Sequence, residues 1–478
     1  MKKVLSTIGN IWRVKDVRNK ILFTILILVI YRLGAQIPVP FINPDVLSGM
    51  KAQMQNSTGL LQFMNIFSGE AFSRATLFAL SISPYITSSI VMQLLCVAIP
   101  ALERMSKDED GKKKITQITR YVTVGLALIT AIGYYIYLNS NNWINFIGNT
   151  RDGGSTGFDK ALTAIVVVAC YCAGASLIMW LGEKINESGI GNGISMILLA
   201  NIISSFPTTL SLIFQLIFGN IGADPVNMPG VENATIAHPS LWWIGTIVGV
   251  LGLVLCVVLI AFMIWMTNSE RRLPVQYAKR VVGRKMYGGQ STTLPLKLNM
   301  TGVMPIIFAS SIISIPATIA MFAGKTESSN WFWKWATNFN QNNVVYIILF
   351  GLLLVAFAYF YVAISFNPVE VANNLKKNGG SIPGIRTGKP TADYIKRILS
   401  RVTFIGALCL MVIALVPMIL GCIGGNAGLN GTTYNWAWSL TYFSFSGNSL
   451  LIVVGVILET AREIEAQMTM RNYKGFLE

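Results

Sequence analysis

Ten charge-poor apolar runs, at about 20–38, 76–98, 120–138, 161–181, 193–218, 241–267, 302–322, 344–366, 402–420 and 440–458, dictate most of what this chain can become. Each is near the 17–25 residues that a membrane-crossing helix needs. In lipid only helices and closed barrels satisfy their own backbone groups, and the outward-facing alternation of a membrane barrel is absent. The pattern therefore predicts an all-α polytopic membrane protein with ten transmembrane helices. The composition agrees. Charged residues make up 12% of the chain, against roughly 25% in soluble domains, too few to cover a soluble globule of 478 residues.

The net charge of +16 has two readings, nucleic-acid binding or membrane orientation, and the distribution decides between them. Thirty of the 37 Lys and Arg fall in alternate segments: 1–20, 99–120, 182–192, 268–301, 367–401 and 459–478. The opposite loops hold six, and Arg32 lies inside the first run. Such asymmetry is the positive-inside signal, so both termini are expected in the cytoplasm. Eight of the eleven Trp lie near the opposite edge, as an interfacial belt would. Residues 1–20 read as a basic amphipathic segment on the inner surface, since no apolar run follows Met1-Lys2-Lys3 until Ile21.

The span interiors argue against chemistry. Between residues 120 and 460 they hold essentially no Asp, Glu, Lys or Arg, whereas ion-coupled carriers generally place ionisable groups at mid-depth. No paired intramembrane Asp, Ser/His pair or H-E-x-x-H motif occurs, and the chain is not expected to be an enzyme. Its six cysteines read as small buried hydrophobes and its one histidine, His238, sits in a polar loop. No cofactor and no metal are expected. The segment Gly189-Ile190-Gly191-Asn192-Gly193 superficially suggests a phosphate loop, but it joins two spans and follows no strand. A tight turn of small residues is the plainer reading.

Three segments do not fit simple spans. Residues 58–74 are amphipathic and too short to cross, and Gly69 interrupts them. They form either a re-entrant, plug-like half-helix or an interfacial surface helix. The loop 268–299 carries seven Lys/Arg, and its alternating Val275, Tyr277 and Val281 with Gly288-Gly289 predict a hairpin. The loop 366–390 predicts a short helix after Asn367-Pro368 that stops at Gly379-Gly380, then a Pro/Gly turn displaying Arg386. Structured basic protrusions of this kind suit docking of a partner.

At these residues the sequence closely resembles the SecY family, the channel subunits of the general protein-secretion (Sec) translocon. The stretches that carry the resemblance are YRLGAQIPVP (31–40), NIFSGEAFSRATLFALSISPYITSSIVMQLL (65–95), WLGEKINESGIGNGIS (180–195), RLPVQYAKRVVGRKMYGGQSTTLPLKLN (272–299), FNPVEVANNLKKNGGSIPGIR (366–386) and SLLIVVGV (449–456). The chain departs from the family pattern at Glu70, where a second glycine is usual, at Thr293, at Thr387 and in the FSGNSLLI that opens the tenth span.

The resemblance implies two five-helix inverted-repeat halves around a central pore. They are 21–218 (spans 1–5) and 241–458 (spans 6–10), joined by an external hinge loop at 219–240, with a cytoplasmic tail at 459–478. It implies a pore ring of Ile82, Ile86, Ile194, Leu198, Ile307 and Ile452. It implies a plug at about 58–74, including Leu60, Leu61, Phe63, Met64, Ile66 and Phe67. A lateral gate between spans 2 and 7 carries Gln93 and Asn299, expected to share a hydrogen bond. Arg284, Lys285 and Arg386 fall at positions that face SecA or the ribosome. The implied function is a protein-conducting channel of the bacterial cell membrane that passes unfolded secretory polypeptides and releases transmembrane segments into lipid. The implied partners are SecE, SecG, SecA, the ribosome, signal sequences, nascent polypeptides and the bilayer. A small-molecule secondary transporter is the alternative.

Overall fold

A computed structural model describes residues 14–43, 64–65, 67–145, 157–218, 242–277, 280–282, 285–287, 291–322, 343–427 and 435–474. The helices are α1 (Lys15–Gly34), α2 (Ser83–Ala98), α3 (Pro100–Lys107), α4 (Glu109–Ser140), α5 (Gly157–Ser188), α6 (Gly193–Phe218), α7 (Trp242–Asn268), α8 (Met304–Ile313), α9 (Ile315–Phe322), α10 (Val344–Ser365), α11 (Pro368–Lys377), α12 (Lys389–Ala427) and α13 (Asn435–Lys474). Among the described residues, α4, α5, α7, α10 and α12 are long and apolar enough to cross a membrane. The pair α2 and α3, bent by 109°, makes a sixth if it counts as one span. Helices α1, α6, α8–α9 and α13 lie on the remaining apolar runs.

One expected boundary moves. The run at 76–98 is helical only from Ser83. Residues 69–82 form consecutive turns instead, with Glu70, Ala75 and Ser81 at φ 69°, 48° and 53°. Left-handed residues at that spacing cannot continue a right-handed helix. At its other end α2 stops at Ile99 in extended conformation, and Pro100 opens α3. Proline disfavours the helical conformation in the residue before it, which places the corner here.

Two apolar clusters fill the bundle. The larger draws on α1, α2, α5, α6, α7, α8, α10, α12 and α13, and so on both chain halves. The smaller packs the turns at 72–80 against α4 and α5, with Phe72, Tyr134 and Tyr171 fully buried. The Tyr134 hydroxyl donates to the Phe72 carbonyl at 2.7 Å. A third cluster, Leu273, Leu296, Ile382 and Ile395, lies under the basic loops.

These loops fold as the residue pattern predicts. Strand β1 (Glu270–Tyr277) pairs antiparallel with β4 (Ser291–Lys297), Glu270 facing Lys297 and Gln276 facing Ser291. Between them β2 (Arg280–Val282) pairs with β3 (Lys285–Tyr287). Leu273 and Val275 point inward while their neighbours are exposed. Helix α11 starts where Asn367 accepts from the Val369 and Glu370 amides, and it ends before Gly379 at φ +70°. The sequence pattern does not reveal β5 (Gly380–Ser381), which adds to the far edge of β1 through Gln276 with Ser381 and Tyr277 with Gly380. Asn367→Ala removes both cap bonds and is expected to cost about 1 kcal/mol. A lowered melting temperature of the purified protein, with unchanged helix content, is the measurement.

Candidate functional site

The six positions of the predicted ring come from distant parts of the chain, and each belongs to or packs against the larger apolar cluster. Ile82 and Ile86 stand at the start of α2, Ile194 and Leu198 in the first turns of α6, Ile307 in α8 and Ile452 in α13. Ile82, Ile86, Leu198, Ile307 and Ile452 are each at most 2% exposed and belong to the larger cluster, and Ile194 packs against it. They share that cluster with Phe67 of the predicted plug. An apolar constriction has no group that binds ions or water well, and closing it excludes both by dewetting.

Of the plug, Leu60, Leu61, Phe63 and Ile66 lie outside the described residues. Met64 packs against the smaller cluster and Phe67 is buried in the larger. Ser68, Ala71 and Phe72 are at most 1% exposed. The described part is thus folded into the bundle rather than laid on its surface. Gly69, at φ +62°, ends the helical turn as expected. Glu70 occupies the left-handed conformation that glycine would adopt without strain, at φ 69°. Its carboxylate pairs with Arg74 at 2.8 Å, and Arg74 donates onward to Gln36 at 2.9 Å. The departure from the family pattern therefore trades backbone strain for a side-chain link to the loop after α1.

The turn at 189–193 uses its amides as a phosphate loop would, but on partners from this chain. Ile190 N–H donates to Thr24 Oγ1 at 3.0 Å, Gly191 N–H to Glu463 Oε2 at 3.0 Å and Gly193 N–H to Asn186 Oδ1 at 2.7 Å. A methyl group on Gly193 would lie 1.9 Å from the Gly182 carbonyl. The turn ties α1 and α5 to the end of α13, and that connection is invisible in a local reading of the glycines.

At the predicted gate α2 packs against α8. The hydrogen bond expected between Gln93 and Asn299 is not formed in this structure. Gln93 Nε2 donates to Ser89 Oγ at 3.2 Å, and Asn299 Oδ1 accepts from Thr301 at 3.4 Å. Asn299 instead lines a cavity of about 390 Å³ with Thr267, Tyr361, Glu459 and Arg462. Its Nδ2, Thr267 Oγ1 and Glu459 Oε2 are buried there without hydrogen-bond partners. Arg462 donates to the Thr267 carbonyl and, at 3.0 Å, to Asn268. On the basic side Arg120 and Glu183 pair through two contacts of 3.0 and 2.9 Å, joining α4 to α5. Of the predicted docking residues, Arg386 is exposed in the turn after β5. Lys285 opens β3, and Arg284 lies outside the described residues.

Apolar helices long enough to cross a membrane, packed around one large buried apolar cluster, define a multi-pass helical membrane protein. The chain belongs to the SecY family, which matches residues 76–461. It is 42% identical over 479 residues to the protein translocase subunit SecY of Streptomyces galbus, covering 99% of this chain and all of that protein. It is 38% identical over 483 residues to the subunit of the same name from Corynebacterium glutamicum, again covering 99% of this chain and all of that one. Two solved structures share the fold at 16% and 15% identity. One is described as the structure of a protein conducting channel, at TM-score 0.55. The other is a channel in the canine ribosome-channel complex from the endoplasmic reticulum, at TM-score 0.52. Each covers 94% of this chain and 92% of its own.

Proposed function

We propose that this chain is the protein-conducting channel of a bacterial Sec translocon, passing unfolded secretory polypeptides across the membrane and releasing transmembrane segments sideways into lipid. The observation that supports the reading is that six apolar side chains from α2, α6, α8 and α13 belong to or pack against one buried cluster that also holds Phe67. A moving polypeptide presents no fixed chemistry, so a polar site would trap it, whereas an apolar ring holds nothing strongly and closes around any strand. Relatives that align from end to end are protein translocase subunits, and nothing favours a small-molecule carrier.

In this reading ten spans form two halves, 21–218 and 241–458, that part between α2 and α8. The gate lets a segment compare water with lipid. Leu, Ile, Phe and Val each contribute about −0.3 to −0.6 kcal/mol, and a central Lys or Arg costs roughly 2.5–3.5 kcal/mol. Twenty apolar residues then favour lipid, and one or two charges reverse the choice. Both termini lie in the cytoplasm, where the basic loops receive SecA or the ribosome. SecE clamps the halves and SecG sits at the periphery. The chain makes and breaks no bond itself; the motor or the ribosome supplies the drive.

The test is a stalled secretory chain probed with single cysteines at positions 82, 86, 194, 198, 307 and 452. Crosslinks from all six to the stalled chain are expected. A chain arrested in transit that touches only the outside of the bundle would overturn the reading.

A further inference from the structure

Arg32 is the one cation in the interior of the ten apolar runs, and the channel reading alone gives it no task. It stands in the last turn of α1, where a positive charge is favourable in any case. Its reach is the informative feature: Nη1 donates to the Gly69 carbonyl at 3.0 Å, 37 residues along the chain. Ser204 of α6 contacts the same carbonyl at 3.5 Å. One turn earlier, the Phe67 carbonyl accepts from Asn201 of α6 at 2.7 Å and from Ser81 at 2.9 Å. The approach is close enough that a methyl group on Gly69 would lie 2.9 Å from Arg32 Nη1 and 3.0 Å from Asn201.

The surrounding bundle supplies the donors in these bonds, and the plug supplies only backbone carbonyls as acceptors. A carbonyl is the one acceptor that every polypeptide carries at every residue. We infer that Arg32, with Ser204 and Asn201, is a backbone-carbonyl site that seats the plug at rest and passes to the carbonyls of an entering chain when the plug leaves. The inference rests on the channel reading and names what that channel's outer funnel binds. The exchange keeps an intramembrane guanidinium paired throughout, since a cation stranded near lipid is costly. It also fits a substrate of arbitrary sequence, because the ligand is the main chain. In a protein of the same fold the plug domain is described as stabilising the closed state and maintaining a membrane seal; here Arg32 would hold that seal.

The experiment uses the full chain with its partner subunits in vesicles. Arg32→Met is expected to raise resting ion conductance at least tenfold, and Arg32→Lys to restore part of the seal. A photo-crosslinker at position 204 should label the segment around Gly69 in the empty channel and the precursor once one is stalled. Resting conductance at the wild-type level in Arg32→Met overturns the seating role. Label that stays on the plug segment in the loaded channel overturns the exchange. If Arg32→Met does not accumulate, Gly69→Ala decides: it leaves Arg32 in place but pushes the guanidinium off its acceptor. The same leak supports the inference and an unchanged one overturns it. Vesicles of the wild-type protein that import no precursor would overturn the channel reading, and this inference with it.

Discussion

Replacing Arg386 by Glu is expected to lower SecA-driven export about tenfold or more while leaving the fold intact. The side chain is exposed, and the surrounding backbone is set by other contacts. The Arg386 carbonyl accepts from Thr391 at 2.7 Å, and Gly384 and Gly388 turn the chain on either side at φ +80° and +102°. The substitution therefore changes two units of charge at a rigid display point without touching the core. Arg is enriched among the few interface residues whose loss costs about 2 kcal/mol or more, and tenfold corresponds to about 1.4 kcal/mol. ATP-dependent import of a precursor into vesicles measures the loss, and an unchanged melting temperature shows that the fold is intact. Import at the wild-type rate would refute the docking role.

The second large effect is expected at the waist. Replacing Ile86 and Ile307 together by Gly removes two buried side chains, 2% and 0% exposed, from α2 and α8. In the proposed ring, the space left by two isoleucine side chains would admit water, and a wetted constriction no longer blocks ions. Resting conductance of the reconstituted channel should rise by an order of magnitude or more. Glycine also weakens a helix interior by about 1 kcal/mol relative to alanine. The control is therefore the Ile→Val pair, which keeps the ring apolar and nearly full and should stay sealed. An unchanged single-channel leak in the glycine pair would remove the gasket.

What could be read from the residues in advance was local or periodic. Helix α11 was legible because its signals lie within fifteen residues: an Asn cap, Pro at the first helical position and a glycine stop. The hairpin of the first basic loop was legible through the alternating Val275, Tyr277 and Val281 with Gly288-Gly289, and β1 pairs with β4. The six ring positions were different. No pattern marks an isoleucine as part of a waist, and they were reached only through the family resemblance. What escaped was non-local: the Arg32 bond to Gly69, the Glu463 carboxylate on the Gly191 amide, and β5 on the edge of β1. Each joins residues that carry no mark of their partner. The expected bond between Gln93 and Asn299 is not formed: Gln93 donates to Ser89, and Asn299 Oδ1 accepts from Thr301.

The edge pairing of β5 with β1 has a mechanical result. One basic protrusion grows from the end of α7 and the other sits between α10 and α12, yet the β1–β5 ladder and the cluster of Leu273, Leu296, Ile382 and Ile395 weld them together. They cannot swing separately. If a motor grips the Arg386 turn as proposed, it would pull on the roots of α7 and α12 at once, as on a yoke, and a thrust there would be shared between two helices instead of being absorbed by one loose whisker.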